Sequence, residues 1–308
     1  MIPVFIVSPV RSGSTFLRLM LNSHPAINNP GECDFLFDRL DDSGKYPDKE
    51  SYINFLDSNS IFQSKNLEID KNLNFDDLIY SFVNQLDQEG SVLSVNIHRH
   101  FHRIPFLFPQ AKYIHLLRDP RDVARSAIGM GWVGHVYQGV DIWIEAEKSW
   151  DKLKKQIQPI QWLEIKYEDI LNDVEGGLTN ICNFLGLEYS EEMLNYAENS
   201  SYSLPDKSLS YQWKRKYTQR ELELVEGKLG DLLTSRGYEL SGVKPQLPKA
   251  FEKISLALKN KQYRAIFDIK RYGLILYLER YFSKFFPLPF WKASIQNRIN
   301  AVNAAYLK

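Results

Sequence analysis

The opening 25 residues constrain this chain most: an apolar run, a small polar loop and a return to helical spacing follow one another without a gap. Ile2-Pro3-Val4-Phe5-Ile6-Val7 reads as a buried strand. It breaks at Ser8-Pro9-Val10, after which Phe16, Leu17, Leu19, Met20 and Leu21 recur at helical spacing as far as Asn22-Ser23-His24-Pro25. A strand, a small-residue loop and a helix in this order aim unbonded backbone N–H groups at an anion. The loop adds one cation, Arg11, one glycine, Gly13, and hydroxyls at Ser12, Ser14 and Thr15. The expected ligand is a phosphate or a sulfate.

The same figure returns later. Ala111 to Leu117 reads as a second buried strand that stops at Arg118-Asp119-Pro120, with Pro120 suited to the first turn of a helix running through Ser126. Further strands are expected at 91–96 and 161–166, and helices at 74–88, 139–157, 174–185, 190–198 and 218–235. The last opens on the capping pair Thr218 and Glu221. Residues 41–72 are polar and read as loops with a short helix near 49–56, forming a mobile cover. Strands alternating with helices imply an α/β fold: a P-loop-like parallel sheet flanked by helices, with a helical C-terminal extension. Ligands of such sheets sit beyond the carboxyl ends of the strands, where Arg11 and Arg118 both fall.

The 308 residues divide, on this reading, into a main domain at 1–245 and a basic, aromatic helical extension at 246–308 that packs on the core or at an interface. Net charge is zero, so nothing global suggests nucleic acid. Two cysteines, Cys33 and Cys182, with no CxxC pair argue against a disulfide framework or structural zinc. With no signal-peptide pattern at the start, a cytoplasmic location is expected. No apolar run is long enough for a spanning helix. Charge is uneven, however: residues 249–308 hold twelve Lys/Arg against three Asp/Glu, leaving the rest of the chain at −9. An extension packed on the acidic body is the favoured reading. A peripheral membrane contact or a homodimer through 249–308 is the alternative.

The first loop lacks the glycine spacing and Lys-Ser/Thr ending of GxxxxGK[ST]. Taken with the second strand–Arg–helix, the sequence instead resembles the sulfotransferases that use 3′-phosphoadenylyl sulfate (PAPS). Pro9-Val10-Arg11-Ser12-Gly13-Ser14-Thr15-Phe16-Leu17 is similar to that family's 5′-phosphosulfate loop, and Phe108 to Ser126 to its 3′-phosphate motif. The resemblance spans roughly residues 1–240. It implies that Arg11, Ser12, Gly13, Ser14 and Thr15 hold the 5′ end, that Arg118 and Ser126 hold the 3′-phosphate, and that no metal is required. Phe16 packs in the core or beside the nucleotide. Ile165 to Ile170 is similar to the family's Tyr-Glu-Asp segment, which puts Tyr167 among the nucleotide-binding residues. In relatives a late basic residue closes over the nucleotide, a role open here to Lys214, Arg215 or Lys216.

Sulfuryl transfer, like phosphoryl transfer, relies on positioning and charge stabilisation, and an acceptor hydroxyl needs a base. Two candidates compete. Glu32, in Gly31-Glu32, matches the catalytic glutamate of tyrosyl-protein and several bacterial relatives. His98, in Asn96-Ile97-His98, is similar to the Lys-Thr-His segment of cytosolic relatives, with Asn96 in place of the lysine. Glu32 is favoured. His98, His100 and His102 alternate and would share one face of a strand, as a polar edge or acceptor-pocket lining rather than a metal site. The expected acceptor is a hydroxyl or amine on a small-molecule metabolite or glycan, met by loops 33–72, 98–106, 129–141 and 199–211. Rival readings are a P-loop phosphotransferase and a non-catalytic nucleotide- or membrane-binding module.

Overall fold

A computed structural model describes residues 2–198, 200, 204–286 and 289–304. Five strands, β1 (Val4–Val7), β2 (Ile27–Asn28), β3 (Val92–Ile97), β4 (Lys112–Leu117) and β5 (Trp162–Lys166), form one sheet in the order β2-β3-β1-β4-β5. Every pairing is parallel. β1 is central, with Val4 level with Ser94 on one side and Lys112 on the other. All four of its residues are buried, as a strand covered on both faces requires. Phe5 and Val7 join Val95, Ile97 and Tyr113 in one core; Val4 and Ile6 join Ile114, Leu116 and Leu17 in the other.

The helices that matter for the site are α1 (Ser14–Asn22), α2 (Phe75–Leu86), α3 (Pro120–Gly129), α4 (Val136–Lys154), α5 (Tyr167–Asn172), α6 (Val174–Leu185) and α7 (Gln219–Leu229). The extension forms α8 (Ala250–Tyr272), α9 (Leu274–Phe282) and α10 (Pro289–Ala304). No helix among the described residues is long and apolar enough to cross a membrane.

Four details differ from the expectation. β2, two residues long, is too short to show as a periodic run. The single helix expected over 218–235 is two, broken at Gly230 (φ 53, ψ −140). The segment at 190–198 is a 3-10 helix. Residues 41–72 are no loose cover: Lys49–Ser58 is capped by Asp48, and Ser60–Ser64 by Asn59. Their Tyr52, Leu56 and Phe62 lie in the core beside Phe35 and Phe82, each such burial contributing about 1.5–3 kcal/mol.

The extension packs on the body through α8 and through α10, whose Asn300 donates to the Ser58 carbonyl at 3.3 Å. Arg220 pairs with Glu252 at 2.5 Å, and Leu256 joins Tyr137 and Leu224 in a small cluster. The Gly134 N–H donates to Asn260 Oδ1 at 2.6 Å, and a side chain at Gly131 would strike the Phe267 ring.

Candidate active site

The carboxyl ends of β1, β3 and β4 open on a cleft of about 580 Å³. Its lining includes Arg11, Gly13, Ser14, Thr15, Phe16, Glu32, His98, Arg118, Ser126 and Tyr167. These groups are far apart in sequence; the pairing of β1 with β3 and β4 brings them together.

The loop after β1 turns through two left-handed residues, Arg11 (φ 71) and Gly13 (φ 90). Gly13 is the N-cap of α1, which has no side-chain cap and no acid in its first turn. The first amides of α1 are therefore open to an external anion. Only glycine suits position 13: besides its φ, a Cβ would sit 2.4 Å from the Tyr167 ring. Arg11 Nε donates to Ser126 Oγ at 2.9 Å, so the two loops already touch. Ser12 is wholly buried, with its hydroxyl lacking a hydrogen-bond partner, while Ser14 and Thr15 line the cleft.

Arg118 is fixed from three sides. It donates to the Arg11 and Leu209 carbonyls, each at 3.1 Å, and its guanidinium lies 4.4 Å from the centre of the Tyr167 ring. Its Nε is buried and has no hydrogen-bond partner among the described residues. Tyr167 thus covers Gly13 and supports Arg118. Phe16 meets Tyr167 and Tyr196 edge-on and also lines the cleft, so it belongs both to the core and to the cleft wall.

The two candidate bases, 66 positions apart in sequence, form one pair. Glu32 bridges Asn96 across the sheet edge, which brings its carboxylate to 3.5 Å from His98 Nε2. His98 is buried behind; the Glu32 side chain is 45% exposed and faces the cleft. His98 Nδ1 lies 3.0 Å from the Ser8 carbonyl, which can only accept, so Nδ1 carries a proton and Nε2 turns to Glu32. The His98 hydrogen bond holds Glu32 below the usual carboxylate range against the opposing effect of burial. Burial alone would push His98 down, but Glu32 and the Asp34 charge outweigh it and raise its pKa. Asp34, itself pushed up by burial, accepts the His98 backbone N–H at 2.7 Å. Donor atoms of Glu32, Asp34 and His98 lie within 4.8 Å of one another. At 3.5 Å the His98–Glu32 contact is a loose ion pair, not a short hydrogen bond.

Asn96 is buried and donates to the Ser14 carbonyl at 3.3 Å, tying β3 to α1. The alternating histidines do not share a face, because β3 ends at Ile97 and His100 is left-handed (φ 58). His102 instead bonds Ser149 at 2.9 Å and meets Asp42. Lys214 lies over Tyr211 and Trp213 and lines a neighbouring cleft with Arg121 and Tyr238. Arg215 donates to the Ser208 carbonyl, and Lys216 to Gln212. None of the three lines the first cleft among the described residues; Gln212 does. Trp132, Leu204 and Leu209, from loops expected to meet the acceptor, also line it, as does Leu171, which lies outside those loops. Part of the loop expected to meet the acceptor, residues 199 and 201–203, lies outside the described residues.

A model of the sulfotransferase family matches residues 3–191. Over 151 residues the chain is 28% identical to the omega-hydroxy-beta-dihydromenaquinone-9 sulfotransferase of Mycobacterium tuberculosis, a match covering 43% of this chain and 37% of that protein. The chain therefore aligns with little more than a third of that relative's length. Among solved structures it is similar to the sulfotransferase domain of the Synechococcus PCC 7002 olefin synthase, with 26% identity, a TM-score of 0.57, and coverage of 75% of this chain and 95% of that one. The sulfotransferase domain from the curacin biosynthetic pathway shares the fold at 20% identity and a TM-score of 0.53, covering 78% of this chain and 99% of its own.

Proposed function

The chain belongs to the sulfotransferase family, and from that premise we propose that it moves the sulfuryl group of PAPS to a hydroxyl or amine on a small-molecule metabolite or glycan. The observation that carries this reading is the meeting, in one cleft, of two anion-binding elements with one acid–base pair. The residues fit the donor: α1 lacks a cap of its own, Ser12 Oγ and Arg118 Nε are buried without partners, and Gly13 forms a cradle that a Cβ would fill.

The donor supplies an activated sulfuryl group attached to its 5′-phosphate. In this reading the first amides of α1, with Ser14 and Thr15, hold the 5′-phosphate, and Arg11 neutralises charge that grows on the leaving oxygen. Arg118 and Ser126 take the 3′-phosphate. Glu32, ionised and facing the cleft, receives the proton of the acceptor while His98 holds its orientation from behind. The two base candidates then divide the work instead of competing. The 580 Å³ cleft has the size of an ordinary small-ligand site.

The test is PAPS-dependent sulfation of an acceptor panel read by mass spectrometry. Glu32→Gln should lower kcat about 10²–10⁴-fold with nucleotide binding retained, and His98→Ala should fall between that variant and the parent. Near-normal turnover in Glu32→Gln alongside a dead His98→Ala would reverse the assignment. Consumption of ATP with magnesium, and indifference to PAPS, would replace the reading with a phosphotransferase.

A further inference from the structure

Helix α9 of the C-terminal extension carries two apolar faces, and the packing within the extension uses only one. On α9, Leu276 packs with Ile295 and Ile299, supported by Tyr272 and Trp291. Leu274, Ile275, Leu278, Tyr281 and Phe282 lie on the other side, and Phe285 and Phe286 continue the same spacing past the helix end. All seven are exposed, Ile275 at 73% and Phe285 at 63%. Soluble proteins rarely leave an aromatic stripe of this kind to water.

Charge identifies the occupant. All three acids of the extension are paired with arginines: Glu252 with Arg220, Asp268 with Arg280, Glu279 with Arg298. Lys253, Lys259, Lys261, Lys270 and Lys284 are exposed and form no ion pair among the described residues. The extension's positive balance is therefore unneutralised where it faces solvent. Exposed aromatic and aliphatic side chains with the exposed Lys284 in the same stretch, on an extension of net positive charge, match the interface of an anionic bilayer, where rings enter the headgroup boundary and lysines meet lipid phosphates. A two-fold dimer through this face would set one strongly basic surface against its copy, which disfavours self-association.

We propose that α9 and the turn through Phe286 form a peripheral docking surface for anionic lipid bilayers. The helix lies in the interface and does not span it, consistent with its nine residues. The proposal is independent of the reaction assigned to the cleft, because binding can be measured without turnover.

The experiment is co-sedimentation of the full chain with phosphatidylcholine vesicles containing about 30% phosphatidylglycerol, and with phosphatidylcholine alone. The wild type should sediment with the anionic vesicles, and raising salt from about 0.1 to about 0.5 M should release it. Ile275→Ser combined with Phe285→Ser should weaken binding at least about tenfold. Far-UV circular dichroism and thermal unfolding matching the wild type would show that the variant is folded. Equal partitioning of wild type and double variant, or no sedimentation of either, overturns the proposal. A concentration-dependent dimer that the double variant loses, seen by analytical ultracentrifugation without lipid, also overturns it by assigning the face to a second copy.

Discussion

The loops that follow β1 and β4 share one pattern, strand–Arg–helix, yet present opposite electrostatics at the helix start. At α1 the N-cap is Gly13, no side chain caps the amides and no acid occupies the first turn. At α3 the N-cap Asp119 accepts the Arg121 N–H at 2.9 Å and ion-pairs with Arg121, and Asp122 accepts the backbone N–H groups of Gln212 and Trp213. Asp119 already caps the second helix start, and Asp122 adds a further acid to its first turn. In the proposed reading an anion at the first loop would be met by backbone dipoles together with Arg11, and one at the second by the side chains of Arg118 and Ser126. The first site depends on backbone shape, the second on particular side-chain charges.

The largest effect should come from disturbing the first loop's shape. Gly13→Ala forces a Cβ into the Tyr167 ring at a left-handed position, costing about 2–4 kcal/mol. Calorimetry should show a lowered Tm and loss of adenosine 3′,5′-bisphosphate and adenosine 5′-monophosphate binding alike. Unchanged stability and affinity in that variant would remove the helix-terminus account. Charge removal at the second loop should be more selective. Arg118→Ala is expected to weaken the 3′,5′-bisphosphate about 10–100-fold, the worth of one charge-assisted contact, while the 5′-monophosphate changes by less than about threefold. Equal losses for both nucleotides would erase the distinction between the loops.

The smallest effect is a pH dependence behind the second loop. Buried Glu168 accepts the Asp119 N–H at 2.9 Å and the Tyr238 O–H at 3.1 Å, and burial pushes its pKa up to about 7. Its folded-state pKa lies above the unfolded one. The stabilisation is therefore complete below the ordinary carboxylate range and is lost as pH rises through about 7. Thermal scans should show a decline on the order of 1 kcal/mol, about 2–4 °C, over that window. Glu168→Gln should flatten it.

Much of this arrangement was legible along the chain. Arg11, Gly13 and Arg118 occur where a strand pattern stops and a helix pattern starts, so local rules place them at one end of the sheet, and Ser126 follows inside the second helix. Pro120 and the Thr218–Glu221 pair likewise mark helix starts that the structure contains. The Glu32–His98 pair was not legible as a pair, because it depends on Glu32 bridging Asn96, a contact between distant segments. The histidine alternation misled for a related reason: His100 leaves the strand through a left-handed turn, and period-two spacing then carries no meaning. Residues 41–72 look polar in composition, but the few apolar side chains among them, Tyr52, Leu56 and Phe62, decide their fate.

The position of β1 has a consequence for how the molecule is made. Val4 to Val7 are synthesised well before their neighbours in the sheet, residues 94–97 and 112–115. More than a hundred residues must leave the ribosome before the first strand is flanked on both sides, and such distant pairings are slow to close. Until then an unpaired Val-Phe-Ile-Val segment stands open to aggregation or to a chaperone. The central strand is thus made before either of its partners and is among the last elements to be completed.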